Sequence, residues 1–188
     1  MLNINKGFSL LELIVVSAVV IILLTIGVPT LQKTLVQSRI NNHIYNLSKD
    51  ILLARNHAVH HAQQVIICHL NTQNKCDKHW SMGYSIFIDS NRDEIYQANT
   101  DKLILERDYQ TFNDIILFSG SNQLTYDADG HLNGLSGTFR YCPALENDEE
   151  YAKAVVISLS GRPKVSKDID GDGKDELNQK NKHISCKT

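Results

Sequence analysis

The chain has 188 residues, of which 42% are hydrophobic and 21% charged, and its formal net charge is −2. That length fits one domain with an appendage, and the composition argues against wholesale disorder. The near-neutral balance excludes a global attraction to nucleic acid, so any anion binding must come from a local patch.

Residues 8–28, FSLLELIVVSAVVIILLTIGV, form a 21-residue apolar run broken by one charge, Glu12. A helix of that length crosses a hydrocarbon core of about 30 Å. A carboxylate at membrane depth costs about 2.5–3.5 kcal/mol and therefore demands a partner. Lys6 precedes the run, which keeps that end cytoplasmic and exports the remainder. The run is too long for a cleaved secretory signal and lacks a convincing A-x-A site.

The residues Lys6-Gly7-Phe8-Ser9-Leu10-Leu11-Glu12-Leu13 resemble the prepilin signature of type IV pilins and type II secretion pseudopilins. The resemblance implies an inner-membrane protein whose leader is cut after Gly7 by prepilin peptidase, with N-methylation of the new terminal Phe8. Glu12 then becomes the fifth residue of the mature chain, and the resemblance implies that it pairs with the terminal amine of a neighbouring pilin or pseudopilin subunit. The physics agrees, since a buried ammonium satisfies a buried carboxylate. Pro29 stands where such proteins commonly carry a helix-kinking proline, so a bend is expected near it.

Beyond Pro29, Leu31, Leu35, Ile40, Ile44, Leu47, Ile51, Ala54 and Ala58 recur mostly at three- and four-residue steps. That is the apolar stripe of an amphipathic helix, so one helix is predicted over about residues 8–60. From Val65 the pattern changes to short β-branched and aromatic runs. Strands are predicted at 65–70, 84–89, 102–107, 115–118, 124–126, 138–141, 154–158 and 164–166, separated by turn-rich pieces. Strands in succession without helical crossovers imply antiparallel sheet. Trp80, Tyr84, Phe87 and Tyr96 fall in strand-like runs and read as sheet core rather than a base-stacking platform.

Ala54-Arg55-Asn56-His57-Ala58-Val59, Val65-Ile66-Ile67-Cys68, Trp80, Gly83-Tyr84-Ser85-Ile86-Phe87-Ile88-Asp89 and Ile157-Ser158-Leu159-Ser160-Gly161-Arg162 resemble the FimT/GspH family. The fold implied is α+β and pilin-like, a long N-terminal helix packed on two small antiparallel β-sheets. The expected organisation is a leader at 1–7, a transmembrane or filament-core half-helix at 8–28 and an amphipathic half at 29–62. A periplasmic β domain at 63–167 and a polar, partly mobile tail at 168–188 follow.

In an exported domain Cys68, Cys76, Cys142 and Cys186 are disulfide candidates. Three pairings are arithmetically open, and the expected one is Cys68–Cys76 with Cys142–Cys186. Closing the second loop contributes about 3–4 kcal/mol in the chain-entropy model. No two cysteines have the spacing of a zinc knuckle, and C-x-x-C is absent.

Two stretches carry candidate chemistry. In Gly161-Arg162-Pro163-Lys164, extended backbone before proline puts Arg162 and Lys164 side by side, with Lys167, Arg140 and Lys153 as candidates to join them. Such a basic edge holds phosphates, and double-stranded DNA is the partner considered. The FimT branch is associated with DNA binding in natural transformation through a late G-R-x-R motif. Gly161 and Arg162 match it, whereas Lys164 replaces the second arginine and loses the bidentate fork. An ordinary charged hairpin edge is the competing reading. Asp168-Ile169-Asp170-Gly171-Asp172-Gly173 matches the D-x-D-x-D-G opening of a calcium loop, with Asp168, Asp170 and Asp172 as ligands. The twelfth position is Gln179 and no helix precedes the loop, so a solvated acidic turn competes with calcium here too. No other cofactor is expected. No G-x-S-x-G, H-E-x-x-H or phosphate-binding glycine loop is present, which argues against an enzyme. The functions in view are a FimT-like minor pilin of a type IV pilus and a GspH-like minor pseudopilin of a type II secretion system.

Overall fold

The computed structural model describes residues 9–109, 113–144 and 148–186. Helix α1, Leu10–His61, runs unbroken through Pro29. Ser9 caps it: its hydroxyl accepts the Glu12 amide at 3.2 Å and its carbonyl accepts the Leu13 amide at 3.2 Å. The S-x-x-E spacing of Ser9 and Glu12 is that of a capping box. Within the N-terminal half of α1, the hydroxyls of Ser17, Thr25, Thr30 and Thr34 each donate to a carbonyl three or four residues back. Their polarity is thus spent inside the helix.

The chain divides into two compact units, Met1–Ser38 and Arg39–Thr188. In the first, the apolar side chains from Leu10 to Val28 are exposed, and α1 has the length and composition of a membrane span. Leu31 and Leu35 are exposed at 61% each, so the packed part of the stripe starts later than residue 29. In the second unit Ile40, Ile44, Leu47, Ile51, Ala54 and Ala58 are all buried, at steps of three and four residues.

The second unit has two antiparallel sheets. In the first, β1 (Gln64–Leu70) is flanked by β3 (Gly83–Asp89) and by β6 (Gln123–Tyr126), and β4 (Lys102–Asp108) follows on β3. A two-residue strand β2 (Cys76–Asp77) pairs with the far end of β1. The second sheet has the order β5 (Ile115–Phe118), β7 (Gly137–Cys142), β8 (Lys153–Ile157) and β9 (Pro163–Val165). This is the α+β arrangement that the residue pattern implies. The eight predicted strands are present within a residue or so of their predicted bounds. The short β2 and the one-turn helix α2 (Asp148–Tyr151) carry no pattern long enough to read. Trp80 is a correction. It sits in a 3-10 turn, Trp80–Met82, not in a strand, though it is buried at the edges of Phe118 and Phe139.

The C-terminal segment is a second correction. Residues 168–186 are folded back rather than loose: Ile184 packs on Ala152 and Ala154, with Leu177 and Cys186 beside them. Isolated bridges join Glu176 to Lys167 and to His183. The disulfides are Cys68–Cys76 and Cys142–Cys186, and the second fastens this segment to the end of β7. Two apolar residues and one cysteine anchor a stretch that otherwise reads as solvated.

Two buried carboxylates tie α1 and its neighbours together. Asp50, on α1, accepts from Tyr84 Oη at 2.8 Å and from Arg107 Nε and Nη2 at 2.8 and 3.2 Å. Asp114 accepts from Arg39 Nη2 at 3.0 Å, Tyr141 Oη at 2.5 Å and the Ala144 amide at 3.0 Å. Burial, followed by the neighbouring Tyr109 and then Asp50, pushes the Tyr84 phenol far above its ordinary range, so it stays a donor. Asp50→Ala strands both donors. It should cost about 3 kcal/mol, the low end for a buried pair because Arg107 reaches solvent, and Tyr84→Phe should cost about 1 kcal/mol. Urea unfolding of the full chain in detergent, followed by the fluorescence of its single tryptophan, measures both. An unchanged midpoint in Asp50→Ala contradicts the tie.

Candidate functional site

The β8–β9 hairpin is built around Gly161. Its amide donates to the Ser158 carbonyl at 2.8 Å, closing a turn, and Ser158 N donates to the Arg162 carbonyl at 3.3 Å. Gly161 has φ +76°, and an added Cβ would lie 2.3 Å from the Gly130 carbonyl oxygen and 2.7 Å from the Tyr126 ring. Glycine is therefore required on two counts, backbone conformation and close approach. Tyr126 Oη donates to the Gly161 carbonyl at 2.9 Å, and Arg55 Nε, from α1, donates to the Gly130 carbonyl at 2.9 Å. The Leu132 amide reaches the Leu159 carbonyl at 3.0 Å. The hairpin tip is thus clamped to α1 and to the turn after β6.

Arg162 and Lys164 project from this clamped tip. Both are exposed, and neither has an ion-pair partner among the described residues. Two of the other three cations named from sequence do not join them as a free patch. Lys153 Nζ is 3.0 Å from both oxygens of buried Asp175. Arg140 Nη1 donates to the Ser185 carbonyl at 2.8 Å. Lys167 is exposed but lies past β9, where its carbonyl accepts the Glu176 amide. The reason is the folded-back C-terminal segment, whose buried acid and carbonyls take up Lys153 and Arg140. Arg140 and Lys153 are thereby withdrawn from the edge, leaving Arg162 and Lys164 exposed on the hairpin and Lys167 exposed beyond β9. At about 3.3 Å per extended residue, the acidic turn from Asp168 is about 20 Å along the chain from Arg162.

The acidic turn does not present Asp168, Asp170 and Asp172 as one constellation. Asp168 Oδ1 and Oδ2 accept the Gly171 and Gly173 amides at 2.6 and 2.9 Å. Those amide donors hold its carboxyl below the usual range. Asp170 and Asp172 instead gather with Glu176 and His183, offering ligand atoms within 4.8 Å of one another. Glu176 and His183 lie outside the motif that flags this region, and only Glu176 has a sequence signal, as the ninth position of the loop.

At the other end of the chain, Glu12 is exposed in the first turn of α1, where a carboxylate complements the helix dipole. Gly7 and Phe8, the expected leader cleavage and methylation positions, lie outside the described residues.

Residues 44–161, more than half of the chain, match the family model described as type II transport protein GspH. The chain belongs to this family of minor pilins and pseudopilins, which are structural subunits. Among solved structures, it is similar to the type IV minor pilin FimU of Pseudomonas aeruginosa (strain PAO1) in space group P21. Identity is 19%, coverage is 69% of this chain and 90% of that one, and the TM-score is 0.51. A second crystal form of FimU, P65, gives 21% identity, 68% and 92% coverage and a TM-score of 0.47. The P21 likeness shows a shared fold. No curated protein sequence matches significantly.

The matched region ends at Gly161, the residue the clamp needs. Gly161→Ala should destabilise the domain by about 1–3 kcal/mol, from left-handed strain and the displaced Gly130 carbonyl. Unfolding midpoints measured beside wild type check this, and an unchanged midpoint contradicts the close packing at the tip.

Proposed function

We propose that this GspH-family protein is a minor pilin that enters a type IV pilus through its apolar helix and contributes to DNA uptake through Arg162 and Lys164. The observation that carries the reading is the pair of cations on a clamped hairpin tip, exposed and without an ion-pair partner among the described residues. A rigid mount lowers the ordering cost of a phosphate contact, because the backbone is already fixed. Two lysine or arginine contacts give weak, sequence-independent binding whose strength falls with salt. Assembly proceeds through the apolar half of α1, whose exposed side chains fit lipid before assembly and neighbouring pilins after it. In this reading prepilin peptidase removes residues 1–7 in the inner membrane, and the second unit faces the periplasm.

The second reading is a minor pseudopilin of a type II secretion system, favoured by the description of the matching family model. There the same helix builds a short filament, and the hairpin tip contacts neighbouring subunits or exported cargo.

The full chain in zwitterionic detergent, oxidised and folded, should bind duplex DNA in the micromolar range. Two phosphate contacts give a slope of log K on log salt of about −2. Arg162→Ala/Lys164→Ala should abolish binding without changing the unfolding midpoint. Absence of binding by wild type at low salt overturns the DNA role and favours the pseudopilin reading. Glu12→Ala should impair incorporation into filaments while leaving membrane insertion intact, as read by fractionating membranes and sheared filaments; normal incorporation rules out the amine pairing.

A further inference from the structure

Glu176 is fully buried, yet its Oε1 has no hydrogen-bond partner among the described residues. Its other oxygen accepts the Ile169 amide at 2.8 Å. Oε1 faces His183 Nε2, 3.4 Å away, and that nitrogen also lacks a hydrogen bond. Asp172 Oδ2 stands 2.8 Å from the same nitrogen, without hydrogen-bonding geometry. Asp170 offers a fourth ligand atom, so that all four lie within 4.8 Å of one another. Asp170 is itself held in place, as its Oδ2 accepts the Asn181 amide at 3.0 Å.

A buried carboxylate with a bare oxygen is strongly unfavourable unless a positive charge meets it. A protonated imidazole would meet it by donating Nε2–H along a hydrogen bond, and neither facing oxygen is so placed. The geometry suits instead two lone pairs, one on oxygen and one on nitrogen, converging on a common centre. Tetrahedral coordination with bonds of about 2.0–2.1 Å sets neighbouring ligands about 3.3–3.4 Å apart. The Nε2–Oε1 separation of 3.4 Å matches this, while Asp172 Oδ2, at 2.8 Å from Nε2, has to move outward on binding.

We propose that Asp170, Asp172, Glu176 and His183 form a binding site for a divalent transition-metal ion of the zinc or manganese class. The three carboxylates supply the charge that such an ion neutralises. The imidazole nitrogen selects against calcium and magnesium, which take oxygen ligands. Asp168, whose oxygens accept the Gly171 and Gly173 amides, is not among the four residues whose ligand atoms gather within 4.8 Å. The ion joins the acidic turn to His183, next to Ile184 and close to the Cys142–Cys186 bridge. It therefore cross-links the C-terminal segment internally, at a point with no regular secondary structure.

The test is equilibrium dialysis of the full chain in detergent after chelator treatment, with zinc, manganese or calcium chloride and elemental analysis of bound metal. The expected result is one zinc or manganese ion per chain, with a rise in melting temperature. Affinity should fall about 10–100-fold or more in Glu176→Gln, His183→Ala and Asp172→Asn. Asp172 is exposed, so its variant keeps the test valid if the Glu176 variant misfolds. No stoichiometric binding of zinc or manganese overturns the proposal, as does binding that survives His183→Ala. Calcium uptake unaffected by His183→Ala overturns it equally, since it assigns the site to an oxygen-only loop.

Discussion

The hydrogen bond from Arg55 to the Gly130 carbonyl joins the three parts of the folded unit at one point. Arg55 comes from α1, Gly130 from the turn after β6, and Gly161, pressed against that same carbonyl, from the hairpin of the second sheet. Tyr126 closes the circuit by donating to Gly161 while standing at the end of β6, which pairs with β1 in the first sheet. Each sheet alone is a small antiparallel ribbon. Their shared attachment to one helix is what gives the hairpin tip a fixed place. A side chain at position 161 would push on a backbone carbonyl that already has a charged donor, so the strain would reach all three elements.

The buried carboxylates extend the same logic along the helix. Asp50 and Asp114 are nearly inaccessible, and an isolated ion at either place would be expensive. Each is surrounded by donors from different elements: Tyr84 and Arg107 from β3 and β4 for Asp50, and Arg39 and Tyr141 from α1 and β7 for Asp114. Apolar packing of the Ile40–Ala58 stripe would permit the helix to slide or rotate over the sheets at modest cost. Carboxylates that find donors in only one register remove that freedom.

Much of this was legible in the sequence, and for identifiable reasons. The 21-residue apolar run, the three-and-four spacing of Ile40, Ile44, Leu47 and Ile51, and the β-branched runs are repeated signals that tolerate error at any one position. What escaped was local or long-range. β2 has two residues, and the turn at Trp80 departs from the alternation of its surroundings. Leu31 and Leu35 belong to the stripe by spacing yet remain exposed, because burial is decided by what lies opposite and not by periodicity. The basic edge was over-read for the same reason. Arg140 and Lys153 are cations in the sequence, but their partners Ser185 and Asp175 lie 45 and 22 residues away. No local pattern announces such a pairing.

Charge in this fold is sorted by the C-terminal segment. The C-terminal segment carries five acids, Asp168, Asp170, Asp172, Asp175 and Glu176, clustered at its start, and four lysines, Lys174, Lys180, Lys182 and Lys187, among and after them. Folding it back changes the balance. Asp175 is neutralised by Lys153, Asp168 is occupied by backbone amides, and Glu176 is taken out of solvent altogether. Arg140 and Lys153 are consumed in fastening the segment, while Arg162 and Lys164 stay outside its reach at the tip that Gly161 fixes. The segment that removes two cations from the edge thus also pairs or buries two of its own five acids, Asp175 and Glu176.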